Sequence, residues 1–172
     1  KLDEFVKNLT NYLFTSSGKT GLGVYIYNPE TRTGKTVLAT FLFMQIAKHL
    51  FIHNLPTTVD CMAFTSIHNI LEDARNSFKT ENNGNSFNFR KYMNLDWLFI
   101  DDFGVDKITE WVYEFIYTLI NHRYEYMKPT IFTSNVPLNQ LEEVLHDSRI
   151  PSRIGRMCSS AFLYDYRTIP TI

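Results

Sequence analysis

Three short stretches of this sequence carry residues that could do chemistry together. The first ends in Thr33-Gly34-Lys35-Thr36 and begins at Pro29. A loop of the form Gly, four free positions, Gly-Lys-Ser/Thr turns successive backbone N–H groups toward a phosphate at the start of a helix. Its Lys reaches the β- and γ-phosphates, and its hydroxyl meets a magnesium ion. Pro29 stands where the first Gly belongs, and Arg32 fills a free position that is often another Gly. Proline fixes φ at about −65° and lacks an N–H, whereas glycine permits φ above zero. Either the turn entering the loop is reshaped, or one phosphate contact is lost. Binding of nucleotide is expected to survive, more weakly than at an intact loop.

The second stretch is Asp101-Asp102, 66 residues after Lys35 and preceded by the apolar Leu98-Phe99-Ile100. Acids at the C-terminal tip of a buried parallel strand sit where ligands bind in open α/β sheets. Asp101 would hold magnesium through water, and Asp102 would orient or polarise an attacking water. The third is Asn135, at the end of Thr130-Ile131-Phe132-Thr133-Ser134-Asn135. It would hold that water or sense the γ-phosphate. Taken singly, a Thr-Gly turn, an acid pair or a turn asparagine is ordinary. In this order they form one constellation for phosphoryl chemistry.

The surrounding elements must place those groups. Apolar runs bounded by Gly, Asn or Pro predict strands at 22–27, 58–65, 95–104 and 129–135, with a last one near 160–164. Between them, residues 35–51 are apolar nearly all round, as for a helix buried against a sheet. Residues 66–79 predict an amphipathic helix with Ser66 as its cap, and 109–127 show helical spacing. A helix near 138–146 and the Arg-rich stretch 148–156 follow. The polar run 80–86 predicts a loop. Alternating strands and helices give an α/β fold: a mainly parallel five-stranded sheet with helices on both faces. Residues 1–20 read as an N-terminal helix and linker, and 21–172 as one core.

Composition narrows the class further. With 172 residues, 44% hydrophobic and 15% aromatic, the chain can bury a core and is not disordered. A net charge of −1 supplies no global basic field, so any nucleic-acid contact must use a local patch. Cys61 and Cys158 lack metal-ligand spacing and read as two reduced thiols. No signal peptide opens the sequence, and no uncharged apolar run reaches the ~20 residues of a membrane span. The expected location is cytoplasmic.

Here the residues carry a resemblance. The Gly-Lys-Thr loop, Ile-Asp-Asp-Phe-Gly at 100–104, the run from Ile120 to Asn135 and Ser148-Arg149-Ile150-Pro151-Ser152-Arg153-Ile154 resemble AAA+ P-loop ATPases. They resemble in particular the bacterial and phage replicative-helicase loaders of the DnaC/DnaI kind, over roughly residues 20–168. ATPases of the IstB kind share much of the pattern. The resemblance implies ATP or ADP with Mg2+ as cofactors, bound through Thr33, Gly34, Lys35 and Thr36. Asp101 and Thr36 would face the metal, and Asp102, where Glu is commoner, would be catalytic. Asn135 matches a sensor of the γ-phosphate, and Arg167 a second sensor. Arg153, or else Arg149, matches an arginine finger that enters a neighbouring copy's site, which makes hydrolysis slow and assembly-dependent. Arg75, Phe78 and Lys79 are candidates for contact with single-stranded DNA, although Phe78 continues the apolar face of its helix and reads better as a core residue; Arg90 and Lys91 either extend the patch or are simply solvated.

Three functions stay open. One is a helicase loader that binds single-stranded DNA and a DnaB-type replicative helicase, whose own helicase-binding region would precede Lys1. The second is a transposition ATPase that coats duplex DNA. The third is a pseudo-ATPase interaction module, motivated by Pro29, Arg32 and Asp102.

Overall fold

The structure, a computed structural model, describes residues 23–53, 61–79, 88–104, 109–158 and 163–165, together with Lys7 and Leu13. The apolar runs form five strands: β1 Val24–Tyr27, β2 Met62–Ser66, β3 Trp97–Asp101, β4 Thr130–Ser134 and β5 Leu163–Asp165. Every pairing is parallel, in the order β2-β3-β4-β1-β5. Parallel neighbours require long crossovers, and helices supply them. These are α1 Lys35–Ile52, α2 Ile67–Lys79, α3 Asn88–Asn94, α4 Glu110–Glu125, α5 Leu141–Leu145 and α6 Arg149–Met157.

Side chains alternate across each strand, so each face of the sheet draws a different half of the same apolar run. Tyr25, Leu98, Ile100 and Phe132 face a core completed by α2, α4, α5 and α6. Val24, Ile26, Trp97, Phe99 and Ile131 face the other core, with Leu38, Leu42, Ile46 and Leu50 of α1. Leu13 is fully buried in that second core. The predicted five-stranded α/β sandwich is therefore the observed one.

Three local features depart from expectation. Helix α1 is not buried all round. Its inner residues pack on the sheet, but Val37, Met44 and Phe51 are 68%, 60% and 83% exposed. By length and composition alone α1 could cross a membrane, yet Leu38, Leu42 and Ile46 lie against the strands. Second, the predicted helix at 138–146 splits into a 3-10 turn, Leu138–Gln140, and the short α5, which His146 ends in the left-handed conformation at φ 54°. Third, α3 has no counterpart among the elements expected above.

Helix α3 is held by a buried cation on α4. Arg123 has no exposed surface. Its Nη1 donates to the carbonyls of Tyr92 and Leu95, each at 2.9 Å, and at 3.4 Å to that of Met93. Its Nη2 donates to the Pro129 carbonyl at 2.7 Å and its Nε to Thr130 Oγ1 at 2.8 Å. A guanidinium suits the last carbonyls of a helix, which carry partial negative charge. Burial pushes Arg123 down to about 9, so it stays charged at neutral pH. One side chain thus fastens the end of α3 to the start of β4. Tyr92 adds a link to α2, donating to Asp73 Oδ2 at 2.5 Å. Other expectations hold locally: Ser66 Oγ accepts from the N–H of Asn69 at 3.1 Å, capping α2, and no disulfide joins Cys61 to Cys158. The predicted loop at 80–86 lies outside the described residues.

Candidate nucleotide-binding site

The strand order sets the geometry. Strand β4 lies between β1 and β3, so the loop after β1, the acids ending β3 and the asparagine after β4 meet at one end of the sheet. Ligands in open parallel sheets bind beyond these carboxyl ends. A cavity of about 470 Å³ opens there, lined by Thr31, Arg32, Thr33, Gly34, Lys35, Thr36, Val37, Asp102 and Asn135.

The loop accommodates both Pro29 and Arg32. Asn28 is fully buried, and its Oδ1 accepts the N–H of Glu30 at 3.0 Å. This Asx turn over Pro29 takes the place of the missing glycine, so the entry turn is reshaped. Arg32 adopts φ 60°, and Gly34, at φ 86°, caps α1. A left-handed residue other than Gly costs roughly 1–2 kcal/mol, so Arg32 holds a glycine-like backbone at an energetic cost. Lys35 is buried, and its Nζ donates to Asn28 O at 3.0 Å, Glu30 O at 2.7 Å and Thr33 Oγ1 at 3.3 Å. Burial pushes the Lys35 ammonium below its ordinary value, opposed by the charges of Asp102 and Asp101.

Across the cavity floor, the Thr36 hydroxyl donates to Asp101, with both carboxylate oxygens at 3.1 Å. Thr133 Oγ1 also donates to Asp101 and accepts the N–H of Asp102 at 3.0 Å. Asp102 takes φ 55° as the chain leaves β3. It is then pinned to β4, since Phe103 N–H donates to Thr133 O at 2.8 Å and Ser134 Oγ to Phe103 O at 2.6 Å. Gly104 follows at φ +86°, with its missing Cβ facing Leu141. The Asn135 Oδ1 atom is buried without a hydrogen bond to the described residues.

The predicted residues therefore divide into two places. Thr33, Gly34, Lys35, Thr36, Asp101, Asp102 and Asn135 converge. Arg149 and Arg153 do not line the cavity; they share one face of α6 and both stack on Tyr117 of α4, each 4.8 Å from its ring centre. Arg149 is paired with Asp147 at 2.9 Å, and its hydrogen bonds hold the Asp147 carboxyl at about 2. Among the described residues Arg153 meets no carboxylate: Nε donates to Asn121 Oδ1 at 2.7 Å and Nη2 to Tyr117 Oη at 3.0 Å. Arg75 is exposed on α2 with its guanidinium 5.2 Å from the Trp111 ring. Phe78 and Lys79 end α2, but their side chains are outside the described residues, as is Arg167. Arg90 and Lys91 are exposed on α3.

Two residues of the site went unread in the sequence, Asn28 and Thr133. An Asn-Pro pair entering a loop is a legible Asx-turn signal. Thr133 acts only across strands, where no local pattern points.

The donors fit the group they would hold. A hydroxyl and a carboxylate are hard oxygen ligands, and magnesium is commonly bound through one or two carboxylates plus phosphate oxygens. Among the described residues no cluster of three His, Cys, Asp or Glu side chains forms a separate metal site.

Solved structures share this architecture. The DnaC helicase loader matches with a TM-score of 0.70 at 18% identity, over 90% of this chain and 85% of that one. DnaI matches with a TM-score of 0.61 at 22% identity, over 91% and 80%. AMPPCP-bound DnaA from Aquifex aeolicus matches with 0.65 at 22% identity, over 87% of this chain but 42% of that one. These likenesses show the fold, a parallel α/β sheet with helices on both faces. A search of curated sequences finds no significant match. The family model described as IstB-like ATP binding protein matches residues 6–158. On that match, which spans nearly the whole chain, the protein belongs to the IstB-like ATP binding family.

Proposed function

We propose that the protein is an ATP-dependent helicase loader: it binds ATP with magnesium and single-stranded DNA, and delivers a ring-shaped DnaB-type helicase during replication initiation. The observation that carries the nucleotide half is the Thr36–Asp101 contact at the mouth of a lysine-bearing loop. Support for the loader half is the match over most of both chains with the DnaC loader fold.

In this reading Lys35 binds the β- and γ-phosphates, and Thr36 and Asp101 hold the magnesium ion. When bound, magnesium neutralises charge building on the phosphate oxygens. Asp102 orients the attacking water, and Asn135 offers its buried Oδ1 as a further acceptor. Being shorter than Glu, Asp102 makes turnover slow. Arg153, which no carboxylate among the described residues neutralises, enters the neighbouring copy's site as the finger; such a residue is worth about 10³ to 10⁵ in rate. Arg149 is already paired with Asp147. Arg75, Arg90 and Lys91 supply a cationic surface for single-stranded DNA.

The test has two arms. Purified protein is titrated with ATP and magnesium, and hydrolysis is followed with and without single-stranded DNA. Hydrolysis that is lost in Lys35→Ala and in Arg153→Ala supports the reading; no nucleotide binding at millimolar concentration refutes it in favour of an interaction module. A pull-down with DnaB-type helicases tests the loader half. The family match favours a second reading, a transposition ATPase. Sequence-independent, strongly salt-dependent coating of duplex DNA without helicase capture would establish it.

A further inference from the structure

We infer that Arg32 is a specificity-determining residue of this site, a cation supplied from within the loop that reads the charge of the nucleotide's phosphate chain. The inference rests on the nucleotide reading above and adds a role to a residue that reading leaves unused.

Three observations converge on it. Arg32 holds φ 60°, a conformation natural to Gly and strained for a long side chain. Strained backbone persists where the surroundings over-determine it, and it clusters at ligand sites. The residue lines the same cavity as Thr33, Lys35, Asp102 and Asn135. No hydrogen bond or salt bridge joins its guanidinium to another described residue, unlike Arg123, Arg149 and Arg153.

Lys35 makes the contrast sharper. All three of its Nζ hydrogen bonds go to acceptors of its own loop, Asn28 O, Glu30 O and Thr33 Oγ1. Its charge is therefore already shared with the loop. Arg32 is the other cation on the cavity wall. A guanidinium presents a planar, permanently charged fork matched to phosphate oxygens. Glycine at this position would give the same backbone without strain and without that charge. The consequence is selectivity: a third phosphate gives Arg32 more charge to bind, so ATP gains over ADP.

The test uses calorimetric titration of the full chain with ATP, ADP and inorganic tripolyphosphate, each with magnesium, in wild type, Arg32→Gly and Arg32→Lys. Arg32→Gly should lose about 10- to 100-fold in affinity for ATP and tripolyphosphate, the range of a lost charge-assisted contact. ADP should lose less, and Arg32→Lys should recover part of the difference. Without ligand, the Tm of Arg32→Gly should hold or rise by up to about 4 °C, because the strain is relieved. ATP binding as tight as wild type, or tighter, in Arg32→Gly overturns the inference and leaves the nucleotide site standing. So does a fall in its Tm, which would make Arg32 structural. Wild type that binds none of the three probes overturns the site itself, and the inference with it.

Discussion

Replacing Arg123 by Met should separate α3 from the rest of the fold. Met fills much of the aliphatic volume and removes all five donors. The Pro129 carbonyl keeps another partner, the N–H of Leu98 at 3.2 Å. The burden falls on the Tyr92 and Leu95 carbonyls, which Arg123 holds at 2.9 Å each. Each buried acceptor left unsatisfied costs about 1–3 kcal/mol, or roughly 2–6 kcal/mol for the pair. Removing a desolvated charge returns part of that, which leaves a net loss of about 3 kcal/mol. For a chain of this size that is a fall of roughly 6–12 °C in Tm, or about 1–3 M in urea midpoint. Arg123→Lys keeps the charge but not the fork and should lose at least half as much. Urea unfolding gives the total, and amide exchange locates it. Protection should fall first in α3 and at the start of β4, while the loop after β1 keeps its rates. Arg123→Met within about 0.5 kcal/mol of wild type, or more stable, would refute the clamp.

Two further predictions concern packing and pH. Gly23→Ala places a Cβ against the Thr130 carbonyl oxygen, a backbone atom that cannot turn away, and 3.1 Å from Cys158 Sγ; thermal unfolding should show a loss of about 3 kcal/mol, the upper range for overpacking. Tyr92 is pushed up to about 12, first by burial and then by its hydrogen bond to Asp73 and that carboxylate's charge. Its folded value lies above the unfolded one near 10, so the contribution is complete below about pH 10 and is lost toward pH 12. The stability gap between wild type and Tyr92→Phe should therefore close over that window, and the 295 nm titration of the variant should lack one phenolate's amplitude there relative to wild type.

Much of this fold was legible because the sheet is buried on both faces. Near-continuous apolar runs such as Trp97-Leu98-Phe99-Ile100 mark such strands, and their ends set the site. Lys35, Thr36, Asp101, Asp102 and Asn135 could be read together because each ends or follows an element whose type was clear. Helix α3 could not be read. Seven mostly polar residues are shorter than the window in which periodicity shows, and its anchor, Arg123, is 28 to 31 positions away. The outer face of α1 misled for a related reason: an apolar composition reports what a helix could bury, not whether anything reaches its far side. Arg32 was visible as an oddity, but its left-handed backbone was not.

The shared hydroxyl of Thr133 ties this one residue to both acids in a genetic sense. Asp101 accepts from it and the Asp102 backbone donates to it, so a change at Thr133 alters the setting of both acids. Substitutions at Asp101 and Thr133 should not add, and a coupling energy of about 0.5–3 kcal/mol is the expected range for residues in one such network. A lineage can therefore exchange Thr133 only along paths in which Asp101 changes soon after, whereas lengthening Asp102 toward Glu leaves its backbone N–H on Thr133 in place.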